Sequence, residues 1–257
     1  MDRSASAHAP AAHHTLRILE LLSAQRGPVA ASTIGHMLKL PRSTVYRLLG
    51  VLEEHGFVLH FPEARRYGIG IAAFELSSGF MRQEPLTRLG RPILSALVDR
   101  LGESAHLAVL RGRDVVYLIE ERAPRRPHLV TDVGVRLPSQ LTASGRALLA
   151  TLPKSQLRAL FPSSESFVQR SEAGPSNYAE LTRLLDAVRE RGFAAEDGDV
   201  SEGIASVAVA ARDHAGWPAA AIAVSFPRDA IPLDRWPQLA TEIGRVAAEL
   251  SRRISGR

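Results

Sequence analysis

Cysteine is absent from the 257 residues, which removes disulfides, thiolate zinc sites and cysteine nucleophiles and agrees with a reducing compartment. No apolar run reaches the roughly 18 residues that a bilayer-spanning helix needs, and the opening stretch MDRSASAHAPAA lacks the apolar centre of a secretory signal. A cytoplasmic protein without membrane contact is expected. Three catalytic signatures are missing as well: there is no GxSxG elbow, no HExxH helix and no GxxxxGK phosphate loop. No internal repeat is evident. The excess of positive charge, +5, permits contact with a polyanion and does not require one.

What is present begins with the run ASTIGHMLKLPRSTVYRLLGVLEEHGFV, from Ala31 to Val58. Ile34, Met37 and Leu38 share one face of a short helix, and Val45, Leu48, Leu49 and Leu52 share a face of the next. Leu40-Pro41 separates the two, because the residue before proline is pushed out of the α region and proline is tolerated in a first helical turn. The outer face of the second helix then starts with Arg42, Ser43, Thr44, Tyr46 and Arg47, side chains that reach phosphates and base edges when a recognition helix enters a major groove. Taken alone, the same pattern also describes a helical pair with a solvated basic face.

The run FVLHFPEARRYGIG that follows reads as two short strands with Arg65 and Arg66 at their tip, the pattern of a basic wing. With Ser32 and Thr33 from the preceding helix, the expected DNA contacts are Ser32, Thr33, Arg42, Ser43, Thr44, Tyr46, Arg47, Arg65 and Arg66. His14 to Gln25 supplies an earlier helix, stopped at Arg26-Gly27-Pro28. His8, His13 and His14 read as part of a solvated arm, so neither a metal nor a cofactor is expected.

At this length, and with 45% hydrophobic residues, the chain suits a small domain followed by a larger one. The expected division is a disordered tail over 1–12, a winged helix-turn-helix over 13–70, a helical linker over 71–90 broken at Glu84-Pro85, and a second domain over 91–257. In that second domain an amphipathic helix carrying Ile93, Leu94, Leu97, Val98 and Leu101 stops at Gly102. Strands are expected at 105–110, 115–121 and about 129–133, with a hairpin turn at 111–114, and further strands at 205–211 and 219–225. Helices are expected from Thr142-Ala143-Ser144-Gly145 through Leu152, from Tyr178 to Arg191, and from about Leu233 to Arg253. The class is α+β, an antiparallel sheet flanked by helices.

Three stretches in order, LPRSTVYRLLGVLEEHGFV, LTASGRALLA, and AEDGDVSEGIASVAVA with AAAIAVSFP, resemble the isocitrate lyase regulator (IclR) family of bacterial transcription factors. The resemblance covers nearly the whole chain. It implies a winged helix-turn-helix, a linker helix used for dimer contacts, and a GAF-like C-terminal domain that binds a small metabolite, often a carboxylate-bearing intermediate. The implied protein is a homodimer or tetramer on a palindromic operator, more commonly a repressor. The effector positions it implies are Leu129, Ala143, Ser144, Gly145, Glu196, Ser206, Ala223 and Ser225. Two of them depart from the family pattern: Ala223 stands where a second hydroxyl is usual, and Ser206 where some relatives carry cysteine. The aspartate position falls at Glu196 or Asp197. Arg126 and His128 stand with Leu129 on the strand before the Thr142-Ala143-Ser144-Gly145 helix, in reach of the same pocket, where Arg126 meets an acid or is simply an exposed strand charge.

A carboxylate suits a helix N-terminus at Ala143, Ser144 and Gly145, whose free N–H groups and dipole attract anions. The other reading of that segment is a plain N-cap by Thr142 or Ser144. Two further functions compete with a ligand-controlled regulator. One is an enzyme using Ser144 as nucleophile with His106 or His128 as base. The other is a DNA-binding oligomer with no ligand response.

Overall fold

The computed structural model describes residues 9–25, 27–76, 85–126, 131–170 and 174–255. The chain divides into two compact units, Met1–Gln83 and Glu84–Arg257. The division falls within the stretch expected to be a linker.

The first unit packs α1 (Pro10–Ser23), α2 (Ala31–Leu38) and α3 (Arg42–Glu54) with a three-stranded sheet of order β1-β3-β2, formed by Val29–Ala30, Arg66–Ile69 and Val58–Phe61 respectively. Helix α1 starts four residues ahead of the expected His14, because Pro10 fits a first turn where no N–H is required. His13 and His14 therefore belong to α1 and not to a loose arm. Ile18, Leu22, Ile34, Val45, Leu48, Leu49 and Leu52 form the core. Met37, expected on the inner face of α2, is exposed, and Ala31 takes the third buried position beside Ile34 and Leu38.

The α2–α3 turn is built by Lys39 in the left-handed region (φ 55) and by the Leu40 N–H donating to Gly35 O at 2.9 Å. A Cβ at Gly35 would lie 3.2 Å from Leu40 O, so a larger residue there crowds the turn. Pro41 stands at the N-cap of α3, just outside the helix.

The second unit is a six-stranded antiparallel sheet of order β6-β5-β4-β9-β8-β7. Its strands are β4 (Ser104–Arg111), β5 (Asp114–Glu121), β6 (Arg136–Pro138), β7 (Ala194–Asp197), β8 (Ile204–Arg212) and β9 (Pro218–Pro227). Alternation along the strands sends residues to two faces. Ala105, Leu107, Ala205, Val207, Ile222 and Val224 pack against α4 (Pro85–Leu101) and α8 (Trp236–Ile254). Ala108, Tyr117, Ala208, Ala221 and Ala223 face α5 (Ala143–Leu149) and α7 (Tyr178–Arg191). Small alanines on this second face let α5 sit close to the sheet. Helix α6 (Lys154–Leu160) joins a smaller core with α5 and α7 around Phe161 and Phe167. No helix among the described residues is long and apolar enough to cross a membrane.

Three further differences from expectation lie in the second unit. The strand expected at 129–133 is absent over 131–133, and 129 and 130 lie outside the described residues; the third strand of that edge is β6, where Leu137 pairs with Val115. The helix expected to reach Leu152 ends at Leu149, where Thr151 Oγ1 turns back to Leu148 O at 2.6 Å and Pro153 follows. Strand β7 was not expected: it is an edge strand of four residues, half of them acidic.

Candidate functional site

In the first unit, Arg42, Ser43, Tyr46 and Arg47 lie exposed on α3, with Thr44 half-buried beside them. The hydrophobic stripe of α3 turns inward and forces these side chains outward together. The Arg42 guanidinium lies over the Tyr46 ring, 5.5 Å from its centroid, one helical turn away. Ser32 and Thr33 are exposed in the first turn of α2. Arg65 holds a left-handed backbone (φ 50) at the tip of the β2–β3 hairpin. Arg66 is exposed but donates to Pro28 O at 3.3 Å, which anchors it to the strand beside it.

In the second unit, α5 closes over the middle of the sheet and leaves a cavity of about 20 Å³, room for roughly one water. Its lining includes Ala143, Ser144, Glu196, Ser206, Ala223 and Ser225, together with His106, Tyr117, Thr131 and Thr142, which were not in the expected set. Strand register explains the grouping. Glu196, Ser206 and Ser225 stand directly opposite one another across β7, β8 and β9, and His106 faces Ala223 on the neighbouring strand β4. Val200 and Ser201, from the β7–β8 loop, form part of the wall.

Gly145 does not line the cavity. Its position is set by packing: a Cβ there would lie 2.2 Å from Ser139 O. Its N–H donates to Thr142 Oγ1 at 2.9 Å, so Thr142 caps α5 and that donor is spent. Gly145→Ala is expected to lower stability by about 1–3 kcal/mol, or more if α5 cannot shift. A thermal melt checks this, and an unchanged midpoint contradicts the packing. Leu129 and His128 lie outside the described residues. Arg126 does not reach the cavity lining; it pairs with the buried Glu103 and donates to Gly102 O at 3.2 Å.

Glu196 is the chemical centre of the pocket. Ser206 Oγ donates to Glu196 Oε1 at 2.7 Å, and the Ser206 and Ser225 hydroxyls are hydrogen-bonded at 2.9 Å. The Asp199 N–H donates to Glu196 Oε2 at 3.2 Å. Burial pushes the Glu196 carboxyl up to about 7, with Asp199 adding to the rise and the Ser206 hydroxyl, Arg146 and the Val200 backbone opposing it.

Burial, with the Arg122 charge, holds His106 at about 4, so its imidazole is neutral at physiological pH. Burial, then the charge of Glu196, raises Tyr117, while Thr142 and Ser144 hydroxyls pull the other way. Both His106 nitrogens, Ser144 Oγ and Thr131 Oγ1 are buried and complete no hydrogen bond. Each unpaired buried group costs roughly 1–3 kcal/mol, a cost that a ligand presenting matching groups removes.

Arg146 organises the pocket from behind. It is 4% exposed, donates through Nε to Gln140 O and through Nη1 to Ala195 O, both at 2.8 Å, and pairs through Nη2 with Asp199. It thus ties α5 to β7 and to the β7–β8 loop. In sequence it reads only as a helical arginine, and no spacing rule marks it as buried. His106 and Tyr117 were legible as inward strand positions, without a sign of what they face. The hydrogen bond that links nucleophile to base is lacking between Ser144 and His106. Among the described residues, no group of His, Asp and Glu is arranged to hold a metal ion.

The chain matches the model of the bacterial transcriptional regulator IclR C-terminal domain over residues 80–252, and that of the IclR helix-turn-helix domain over residues 11–60. The probable transcriptional regulator SauR of Cupriavidus necator is 33% identical over 93% of this chain and 95% of its own length. The transcriptional repressor IclR of Escherichia coli K12 is 27% identical over 94% of this chain and 88% of its own. A crystal structure of an IclR homologue from Microbacterium hydrocarbonoxydans, complexed with 4-hydroxybenzoate, superposes with a TM-score of 0.80 at 22% identity, covering 95% of this chain and 98% of that one. With its winged helix-turn-helix and its C-terminal helix-flanked antiparallel sheet both accounted for, the chain belongs to the IclR family of DNA-binding transcriptional regulators.

Proposed function

We propose that the protein is a repressor whose hold on a palindromic operator is controlled by a small metabolite bound beneath α5. The observation that carries this reading is the pocket: an enclosed site in which a titratable carboxylate and several unpaired hydrogen-bonding groups converge, in a family of DNA-binding regulators. The bound 4-hydroxybenzoate of the Microbacterium relative supports an organic acid as the ligand class. Arg42, Ser43, Thr44, Tyr46 and Arg47 read or position the major groove, Ser32 and Thr33 steady the helix pair on the backbone, and Arg65 and Arg66 clamp phosphate. Control requires only that the ligand bind the DNA-competent and incompetent arrangements with unequal affinity.

Self-association is supported by apolar side chains left in solvent on the first unit, with Leu16, Ile71, Phe74 and Leu76 each more than 60% exposed. A dimer places two recognition helices one helical turn of DNA apart. Loss of the expected dimer in Leu16→Asp/Phe74→Asp, seen by analytical ultracentrifugation, would accompany loss of operator binding. A monomeric wild-type chain would contradict the assignment.

The size of the cavity favours one rival, a DNA-binding oligomer with no ligand. Ligand entry requires the wall to open, and opening at the β7–β8 loop requires release of the Arg146–Asp199 pair that ties it to α5. A thermal melt against a metabolite panel decides between the two: a ligand at 100 times its Kd stabilises the fold by about 2.7 kcal/mol. No shift with any compound would favour the rival.

A further inference from the structure

We infer that the effector carries a hydroxyl that donates a hydrogen bond to the Ser225–Ser206–Glu196 end of the pocket, so that a hydroxy acid is selected over the same acid without its hydroxyl. The inference rests on the proposed effector pocket and adds the chemistry of its ligand.

The hydroxyl protons fix the direction of these hydrogen bonds. Ser206 has a single hydroxyl proton and gives it to Glu196 Oε1. The 2.9 Å contact between Ser206 and Ser225 must then be made with the proton of Ser225, since Ser206 has none left. Both serine protons therefore run toward the carboxylate, and what this end offers the cavity is lone pairs. Ala223, the neighbour of Ser225 on the same face, adds no hydroxyl to reverse that. The structure thus builds an acceptor row across three strands.

No cationic side chain of the described residues lines the cavity beside it. Among the described lining residues Glu196 alone carries a charged side chain, apart from the neutral His106 and Tyr117. Arg146 lies behind the wall on α5, where it bonds Gln140 O, Ala195 O and Asp199, and Arg122 is paired with Glu120 and Asp132. A carboxylate placed against this row meets oxygen lone pairs and the Glu196 charge, whereas a hydroxyl meets acceptors. The donors for the acid end of the ligand are the unpaired His106, Ser144 and Thr131 groups on the other elements.

Protonation reverses the row: a protonated Glu196 donates to Ser206, Ser206 to Ser225, and Ser225 gains a proton to offer. Because Glu196 titrates near neutrality, preference for the hydroxyl is expected to grow as pH rises from 6 to 8. Asp199 and Arg146 face Glu196 from the loop and from α5; His106 on β4 and Tyr117 on β5 stay neutral.

The test is calorimetric titration of the full-length protein with matched pairs: lactate against propionate, and 4-hydroxyphenylacetate against phenylacetate, at pH 6 and 8. The hydroxylated member of at least one pair is expected to bind tenfold or more tightly at pH 8 and less so at pH 6; the preference is expected to fall to about unity in Ser225→Ala and to lose its pH dependence in Glu196→Gln, whose amide oxygen still accepts from Ser206 and does not titrate. Two variants are used, and a melt shows whether each is folded. Equal or tighter binding of the deoxy member, a preference that survives Ser225→Ala, or a pH dependence that survives Glu196→Gln overturns the inference while leaving the effector pocket standing. No binding by any member counts against the inference as well. If operator binding then also ignores every small molecule offered, the effector reading itself falls.

Discussion

Arg146→Met is expected to cost about 3–5 kcal/mol, the range for breaking a buried ion pair from one side. The substitution keeps the apolar stem and removes the guanidinium that serves Gln140 O, Ala195 O and the Asp199 carboxylate at once. Asp199 is then left as an uncompensated, largely buried charge, and the β7–β8 loop loses its tie to α5. For a folding unit of this size the cost corresponds to a drop in Tm of roughly 6–20 °C. Adding Asp199→Asn should recover part of the loss, because it removes the stranded charge. A melt within a degree or two of wild type would show that the pair contributes nothing. A double variant worse than the sum of the two singles would show that Asp199 is not the partner that matters.

Arg47→Ala is expected to act in the opposite sense, leaving the melt unchanged and weakening operator binding. The side chain is exposed on α3 among residues whose partners Val45, Leu48 and Leu49 fix the helix from beneath, so its removal costs the fold little. If it makes a bidentate base contact, affinity falls by about 1–3 kcal/mol, or roughly 5–150-fold, and discrimination relaxes at one base pair. Arg65→Ala should behave differently, weakening all sequences alike and reducing the slope of log K against log salt by about 0.9. An unchanged footprint in Arg47→Ala removes that residue from the recognition set.

How much of this was legible in the sequence depended on whether the signal was local. The helix pair was readable because Ile34, Leu38, Val45, Leu48 and Leu52 repeat at helical spacing and Leu40-Pro41 marks the turn; Met37 misled because a helix of eight residues has room for apolar residues on more than one face. The strands of the second unit were readable where small apolar residues alternate, at Ala205–Ala211 and Ala219–Ser225. Strand β7 was not, because Glu196 and Asp197 give an edge strand no apolar alternation. The pocket was partly legible through family resemblance, which pointed to Ser144, Glu196, Ser206 and Ser225. The roles of His106, Tyr117 and Arg146 depend on which strands lie side by side, a fact carried by sheet order β5-β4-β9-β8-β7 and by no short stretch of sequence. Gly145 was placed in the pocket because a glycine at a helix start suggests an open backbone; the Ser139 carbonyl that requires it is a tertiary contact.

The most direct test of a ligand-controlled repressor is a mobility shift of the purified protein on its own upstream intergenic DNA, at fixed salt, with and without a panel of small hydroxy acids and their deoxy counterparts. A specific shift that one compound abolishes or strengthens, and in which the hydroxy acid loses its advantage over its deoxy counterpart in Ser225→Ala while the DNA is still bound, is the predicted result. A specific shift that no compound alters would contradict it, leaving a DNA-binding protein whose second unit has some other task.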